Sequence, residues 1–128
     1  MTRPPVFIID DEEVVRSSLG RLLRIIGVQS KEYASAEAFL TSFVGPEQAC
    51  LLIDIRMPGM SGLELMEELD RRRTPMPAIV MTGHADEQSL QRLRALRPIG
   101  LLQKPFSVTD LKALLEGWWS TLDPAVPS

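Results

Sequence analysis

Four short apolar runs along the chain each end on a polar residue with usable chemistry. Val6-Phe7-Ile8-Ile9 ends on Asp10-Asp11, and Leu51-Leu52-Ile53 ends on Asp54. Ala78-Ile79-Val80-Met81 ends on Thr82, and Leu101-Leu102-Gln103 ends on Lys104-Pro105. Near-continuous apolar runs of this length read as strands buried on both faces, as in parallel sheets. In open parallel α/β sheets, ligands bind outside the carboxyl ends of the strands. Three carboxylates, a hydroxyl and an ammonium at such tips therefore point to one shared site.

Between the runs the period changes to that of a helix. The first strand is predicted from Val6 to Asp10. It is followed by a stripe at Val15, Leu19, Leu22, Leu23 and Ile26, which Gly27 ends as helix C-termini commonly end. Gln29 to Tyr33 is more polar and reads as an edge strand. Ser35 caps a second helix that runs through Phe39 and Leu40 and stops before Gly45-Pro46. Cys50 to Asp54 is the third strand, and Met57-Pro58-Gly59-Met60 is a turn. Ser61-Gly62-Leu63-Glu64 is a capping box that opens a third helix with Leu65 and Leu69 inward. Pro75 and Pro77 precede the strand Ala78 to Thr82. Gly83-His84-Ala85-Asp86 leads into a fourth helix carrying Leu90, Leu93 and Leu96, which Pro98 stops. The strand Gly100 to Lys104 follows. A second capping box, Ser107-Val108-Thr109-Asp110, then opens a helix with Val108, Leu111, Leu114, Leu115 and Trp118 on one face.

Five strands and five helices in strict alternation predict an α/β fold. The expected form is a single doubly wound, five-stranded parallel sheet with flavodoxin-like order 2-1-3-4-5 and five helices on its two faces. The 128 residues read as one domain over 1–119, with 120–128 as a flexible tail or the start of a linker.

Composition narrows the function classes. Hydrophobic content of 45% and charged content of 24% are ordinary for a soluble domain. A net charge of −3 argues against direct nucleic-acid binding. The one dense basic run, Arg71-Arg72-Arg73, reads as the solvated end of a helix. Cys50 is the single cysteine and reads as a small buried hydrophobe. Only four apolar residues follow Met1-Thr2-Arg3-Pro4-Pro5, too few for a signal-peptide core. No stretch approaches membrane-spanning length, so a cytoplasmic location without membrane contact is expected.

In the 2-1-3-4-5 order the strands ending at Asp10-Asp11 and Asp54 are neighbours. At about 4 Å and an effective dielectric near 20, each like pair there repels by roughly 4 kcal/mol. A divalent cation resolves that conflict. Mg2+ suits it, since it takes oxygen ligands, uses one or two carboxylates and favours phosphate oxygens. Lys104 and Thr82 border the same pocket and suit phosphoryl oxygens. A carboxylate nucleophile beside a metal site, an ammonium and a hydroxyl is an outfit for phosphoryl transfer to an aspartate. Asp54, alone at a central strand end, is the expected nucleophile, and the Asp10-Asp11 pair looks built for metal. Taken alone, such a pair is more often a helix N-cap.

Four pieces, in this order, resemble the receiver domain of two-component response regulators. They are Ile8-Ile9-Asp10-Asp11-Glu12-Glu13, Ile53-Asp54-Ile55-Arg56-Met57-Pro58-Gly59-Met60-Ser61-Gly62, Met81-Thr82-Gly83-His84 and Gln103-Lys104-Pro105-Phe106. The resemblance covers residues 5–119 and is nearest, in its motifs, to the nitrogen-fixation type of regulator, which usually carries a LuxR-type helix-turn-helix. It implies that Asp54 accepts a phosphoryl group from a sensor histidine kinase in a phosphorelay. Asp11 and Asp54 would ligate Mg2+ directly with the carbonyl of Arg56, while Asp10 acts through a water on the metal. Thr82 and Lys104 would contact the phosphoryl oxygens. A cis Lys104-Pro105 bond and a homodimer through the face of the fourth helix, fifth strand and fifth helix also belong to the pattern. Such a domain is a switch that assists its own phosphorylation and dephosphorylation, not an enzyme acting on others. It works either as a stand-alone receiver or as the receiver half of a transcription regulator.

Two departures stand out. The family usually has a switching aromatic three positions before the lysine, and here that position is Leu101. It usually has a small or glycine-containing turn before the fifth strand, and here that turn is Arg97-Pro98. The reaction site is then expected intact and the relay from Thr82 to the output surface altered. The competing class is an aspartate-nucleophile phosphatase of similar fold. That class wants a second carboxylate two residues after the nucleophile, where this chain has Arg56. No P-loop and no Gly-x-Ser-x-Gly elbow occur. His84, the only histidine, reads as a loop residue beside the pocket. Trp118 and Trp119 read as a helix end packed on the domain, one of them exposed for a partner.

Overall fold

The computed structural model describes residues 3–43, 48–83 and 86–122. His84, the Gly45-Pro46 stop and the tail from residue 123 lie outside them. The elements alternate as β1 (Val6–Ile9), α1 (Glu13–Ile25), β2 (Ser30–Tyr33), α2 (Ala36–Ser42), β3 (Cys50–Asp54), α3 (Gly62–Arg71), β4 (Ala78–Thr82), α4 (Glu87–Ala95), β5 (Gly100–Gln103) and α5 (Val108–Leu122). The strands form one parallel sheet in the order β2-β1-β3-β4-β5, as the alternation predicted.

Alternation along the central strands divides the core into two layers. Phe7, Ile9, Leu51, Ile53, Ala78 and Val80 face one side, with Phe39 of α2, Leu65 and Leu69 of α3 and Leu93 of α4. Val6, Ile8, Cys50, Leu52, Ile79 and Met81 face the other, with Leu19 and Leu23 of α1 and Leu111, Leu115 and Trp118 of α5. β1, β3 and β4 are buried throughout, whereas the edge strands β2 and β5 are partly exposed. Each edge strand has only one hydrogen-bonded neighbour, so a continuous apolar run at β5 does not secure burial on both faces.

Local signals act where the sequence placed them. Ser35 Oγ accepts from the Ala38 N–H, and both arms of the Ser61/Glu64 and Ser107/Asp110 boxes form. α1 and α3 both end with paired bonds to the two preceding carbonyls. Gly27 and Val28 N–H bond Arg24 and Leu23 carbonyls, and Arg73 and Thr74 N–H bond Asp70 and Leu69 carbonyls. Gly27 (φ 83°) and Arg73 (φ 60°) take the left-handed conformation this closure needs.

The Arg97-Pro98 turn follows the same plan incompletely. A residue before proline favours an extended backbone, yet Arg97 has φ 53°. Its N–H bonds the Arg94 carbonyl, but Pro98 has no N–H for the second bond. Helix closure therefore decides the backbone at Arg97.

Two expectations are corrected at α5. Trp118 and Trp119 are both buried, so neither is exposed for a partner; Arg3 also lies over the Trp119 ring at 4.4 Å. The helix runs to Leu122, past the tail boundary placed after Trp119. Leu122 packs on the core, and Thr121 Oγ1 donates to the Trp118 carbonyl.

Candidate phosphoryl-transfer site

The parallel sheet points β1, β3 and β4 the same way, so their ends share one edge. Ile9 pairs with Ile53, and Asp54 pairs with Met81. That register brings the carboxylates of Asp10, Asp11 and Asp54 within 4.8 Å of one another. Asp10 is fully buried and Asp54 nearly so, whereas Asp11 is exposed. The Lys104 N–H donates to the Thr82 carbonyl at 2.8 Å, which ties the chain beyond β5 to the tip of β4.

The Lys104 ammonium reaches the acids. Its Nζ donates to Asp54 Oδ2 at 2.8 Å and lies 3.8 Å from Asp10 Oδ2. Asp54 Oδ1 accepts from the Arg56 N–H at 2.9 Å. Each Asp54 oxygen thus has a donor, and the carboxylate is oriented before any ligand arrives. The Lys104-Pro105 peptide is cis.

Asp10 is held differently. Its N–H donates to the Tyr33 carbonyl, its Oδ1 accepts from the Glu12 N–H, and its carbonyl accepts from Arg16 Nη1. Glu12 is the N-cap of α1 and makes no side-chain cap bond. Asp10 therefore braces the turn before the helix and is not its N-cap. Burial, the largest influence, pushes its pKa up, with Asp54 and Asp11 adding to the rise against the Glu12 N–H and Lys104. For Lys104, burial alone would lower the pKa. The hydrogen bond and charge of Asp54, with Asp10 and Glu12, outweigh it and the pKa is raised. Burial pushes the Cys50 thiol up to about 12, so it is an inert core group.

Among the described residues, buried Asp10 Oδ2 and Thr82 Oγ1 have no hydrogen-bond partner. Buried polar atoms of this kind call for a ligand, ion or water. Three carboxylates against one ammonium leave excess negative charge in the pocket. An all-oxygen acidic pocket with an orphaned buried carboxylate oxygen fits a hard divalent cation such as Mg2+. Two residues past Asp54, where a phosphatase of similar fold would place an acid, Arg56 is exposed.

Leu101 faces the α4 side beside Val80 but is 41% exposed. Sequence reasoning also missed three supporting residues. Gly62 approaches the Asp54 carbonyl so closely that any Cβ would collide with it. Arg16 reaches back six residues, past the start of α1, to the Asp10 carbonyl, and Glu37 of α2 accepts from the Met60 N–H in the loop after Asp54. The glycine was visible inside a motif. Nothing local marked the other two, whose partners come from tertiary packing.

Residues 6–116 match the response regulator receiver domain family. The chain is 44% identical over 102 residues to the transcriptional regulatory protein FixJ of Azorhizobium caulinodans, covering 80% of this chain and 48% of that protein. It is 38% identical over 116 residues to FixJ of Rhizobium meliloti, covering 91% of this chain and 57% of the relative. It thus spans about half the length of these curated relatives. Among solved structures, that of FixJ-N superposes with a TM-score of 0.82 at 37% identity, covering 91% of this chain and 93% of that one.

Proposed function

The chain belongs to the response regulator receiver family of two-component systems, and on that premise we propose that it is a phosphorylation switch whose Asp54 accepts a phosphoryl group from a sensor histidine kinase, with Mg2+ in the acidic pocket. The observation that carries the reading is the Lys104 ammonium on Asp54 Oδ2, within the cluster of Asp10, Asp11 and Asp54.

Asp11, Asp54 and the Arg56 carbonyl would hold the ion, and Asp10 would reach it through water. When bound, the ion neutralises charge on the transferring group. An Asp54 carboxylate oxygen attacks the phosphorus of a phosphohistidine. The O–P bond forms as the P–N bond breaks, and its electron pair returns to the imidazole. The Arg56 N–H holds one Asp54 oxygen in place. Lys104 then moves from the carboxylate to a phosphoryl oxygen, and the Thr82 hydroxyl, unpartnered among the described residues, donates to another.

The exposed Leu101 stands where the family's switching aromatic is usual, and Pro98 removes a closing bond from α4. Both support a relay altered downstream of intact chemistry. Leu101 and Val108 supply exposed apolar surface for a homodimer through α4, β5 and α5. The match to FixJ-type regulators supports a receiver that governs transcription through a separate output, and the net charge of −3 supports no nucleic-acid contact of its own.

Incubation with acetyl phosphate and Mg2+ tests the assignment. One equivalent of acid-stable, hydroxylamine-sensitive label, lost in Asp54→Asn, is the expected result. Multiple turnovers of an added phosphoester would instead support the phosphatase.

A further inference from the structure

Arg16 lies on α1, one turn into the helix, and its side chain is largely buried. Nη1 donates to the Asp10 carbonyl at 2.8 Å, and Nε lies 3.7 Å from Glu32 Oε1 on β2. The guanidinium thus spans the end of β1 and the edge strand. Glu32 also packs over Gly20, one turn further along α1: a Cβ there would stand 3.2 Å from Glu32 Oε2 and shift that carboxylate by a few tenths of an ångström. Arg16 meets Asp10 at the backbone carbonyl and not at the carboxylate, so its hold on that residue is one of position.

We infer that Arg16 is a positioning residue that, braced by Glu32 across the Gly20 gap, fixes the Asp10-Asp11 turn in the geometry that binds a divalent cation. The inference rests on the reading of the acidic pocket as a metal site. The clamp acts through a backbone carbonyl, which a planar five-donor fork can hold while also facing a carboxylate. A lysine has one nitrogen and serves only one of those partners well. Outer supports of this kind typically change metal affinity by about 10–100-fold when removed.

The test measures Mg2+ affinity by calorimetry in the full chain for wild type, Arg16→Met, Arg16→Lys, Gly20→Ala and, as a charge control on the same helix, Arg24→Met. Arg16→Met is expected to weaken Mg2+ binding about tenfold, with Arg16→Lys recovering only part. Gly20→Ala, which shifts Glu32 Oε2 by a few tenths of an ångström, should weaken it less than Arg16→Met does, and Arg24→Met should leave it unchanged. Phosphorylation of Arg16→Met at saturating Mg2+ should still reach one equivalent. Amide hydrogen exchange in chelator supplies a metal-free readout. Glu12, whose N–H bonds Asp10 Oδ1, should exchange at least tenfold faster in Arg16→Met, while Leu52 and Ile53 stay unchanged. Wild-type exchange at Glu12 in Arg16→Met overturns the inference, as does equal loss of affinity in Arg24→Met. If wild type binds no Mg2+, the metal-site reading fails, and the exchange data alone decide whether Arg16 fixes the turn.

Discussion

Lys104 and Asp54 sit at the ends of strands that are not neighbours, yet the ammonium donates to the carboxylate at 2.8 Å. β4 lies between their strands, and two inter-strand spacings amount to roughly 10 Å. Only a long side chain crosses that gap, and it does so past the tip that carries Thr82. Without metal, Lys104 is the cation that offsets the Asp10–Asp54 repulsion. Lys104→Met should destabilise the metal-free protein by about 1–3 kcal/mol. Asp54→Asn combined with it should cost less than the sum of the two single changes. Urea denaturation in chelator measures both, and strict additivity would show that the pair is not coupled.

Asp10 sets a pH dependence of the metal-free protein. Its folded pKa is raised, chiefly by burial, above the ordinary value of 3.8. The folded state therefore takes up a proton more readily than the unfolded chain, and its contribution to stability falls as pH rises through that window. Asp10→Asn has no such titration. It should be more stable than wild type at pH 7 without metal, and the advantage should shrink as pH falls toward 4. Urea midpoints across that range test this, and a pH-independent difference would contradict it. With Mg2+ the order should reverse, because binding stabilises wild type.

Gly62 decides how closely α3 approaches the phosphoryl acceptor. Its amide bonds the Ile55 carbonyl, and a Cβ would strike the Asp54 carbonyl oxygen. Gly62→Ala is expected to cost about 1–3 kcal/mol and to slow labelling of Asp54 by acetyl phosphate. Thermal melting and labelling rates, measured together, check it.

Leu101 makes the output relay testable. Comparing the α4 and β5 face with and without beryllofluoride should show a local response at Asp54 and Lys104 without an inward swing of Thr82 coupled to a shift of α4. NMR chemical shifts report both regions. A coupled movement of Thr82 and α4 would overturn the altered-relay reading.

Arg73 completes the closure of α3 in a conformation that strains a residue with a side chain. A left-handed backbone costs such a residue roughly 1–2 kcal/mol, and the greater freedom of glycine when unfolded offsets part of that. Arg73→Gly should raise stability by up to about 1 kcal/mol, read as an increased urea midpoint.

The strand tips, caps and helix stripes were legible in the sequence because each depends on neighbours within a few residues. Alternation implied a parallel sheet, and a parallel sheet gathers Asp10, Asp54 and Thr82 at one edge. Local pattern says nothing about which long side chains cross between elements. Packing alone set Lys104 on Asp54, joined Arg16 to the Asp10 carbonyl and placed Glu37 against the loop after Asp54. It also buried both tryptophans and left Leu101 exposed on an edge strand with an apolar sequence. At Arg97, helix closure overrode the extended backbone that a following proline favours. Residue identity determined which groups could act. Tertiary structure determined their distances and burial, because both depend on side chains brought together from separate elements.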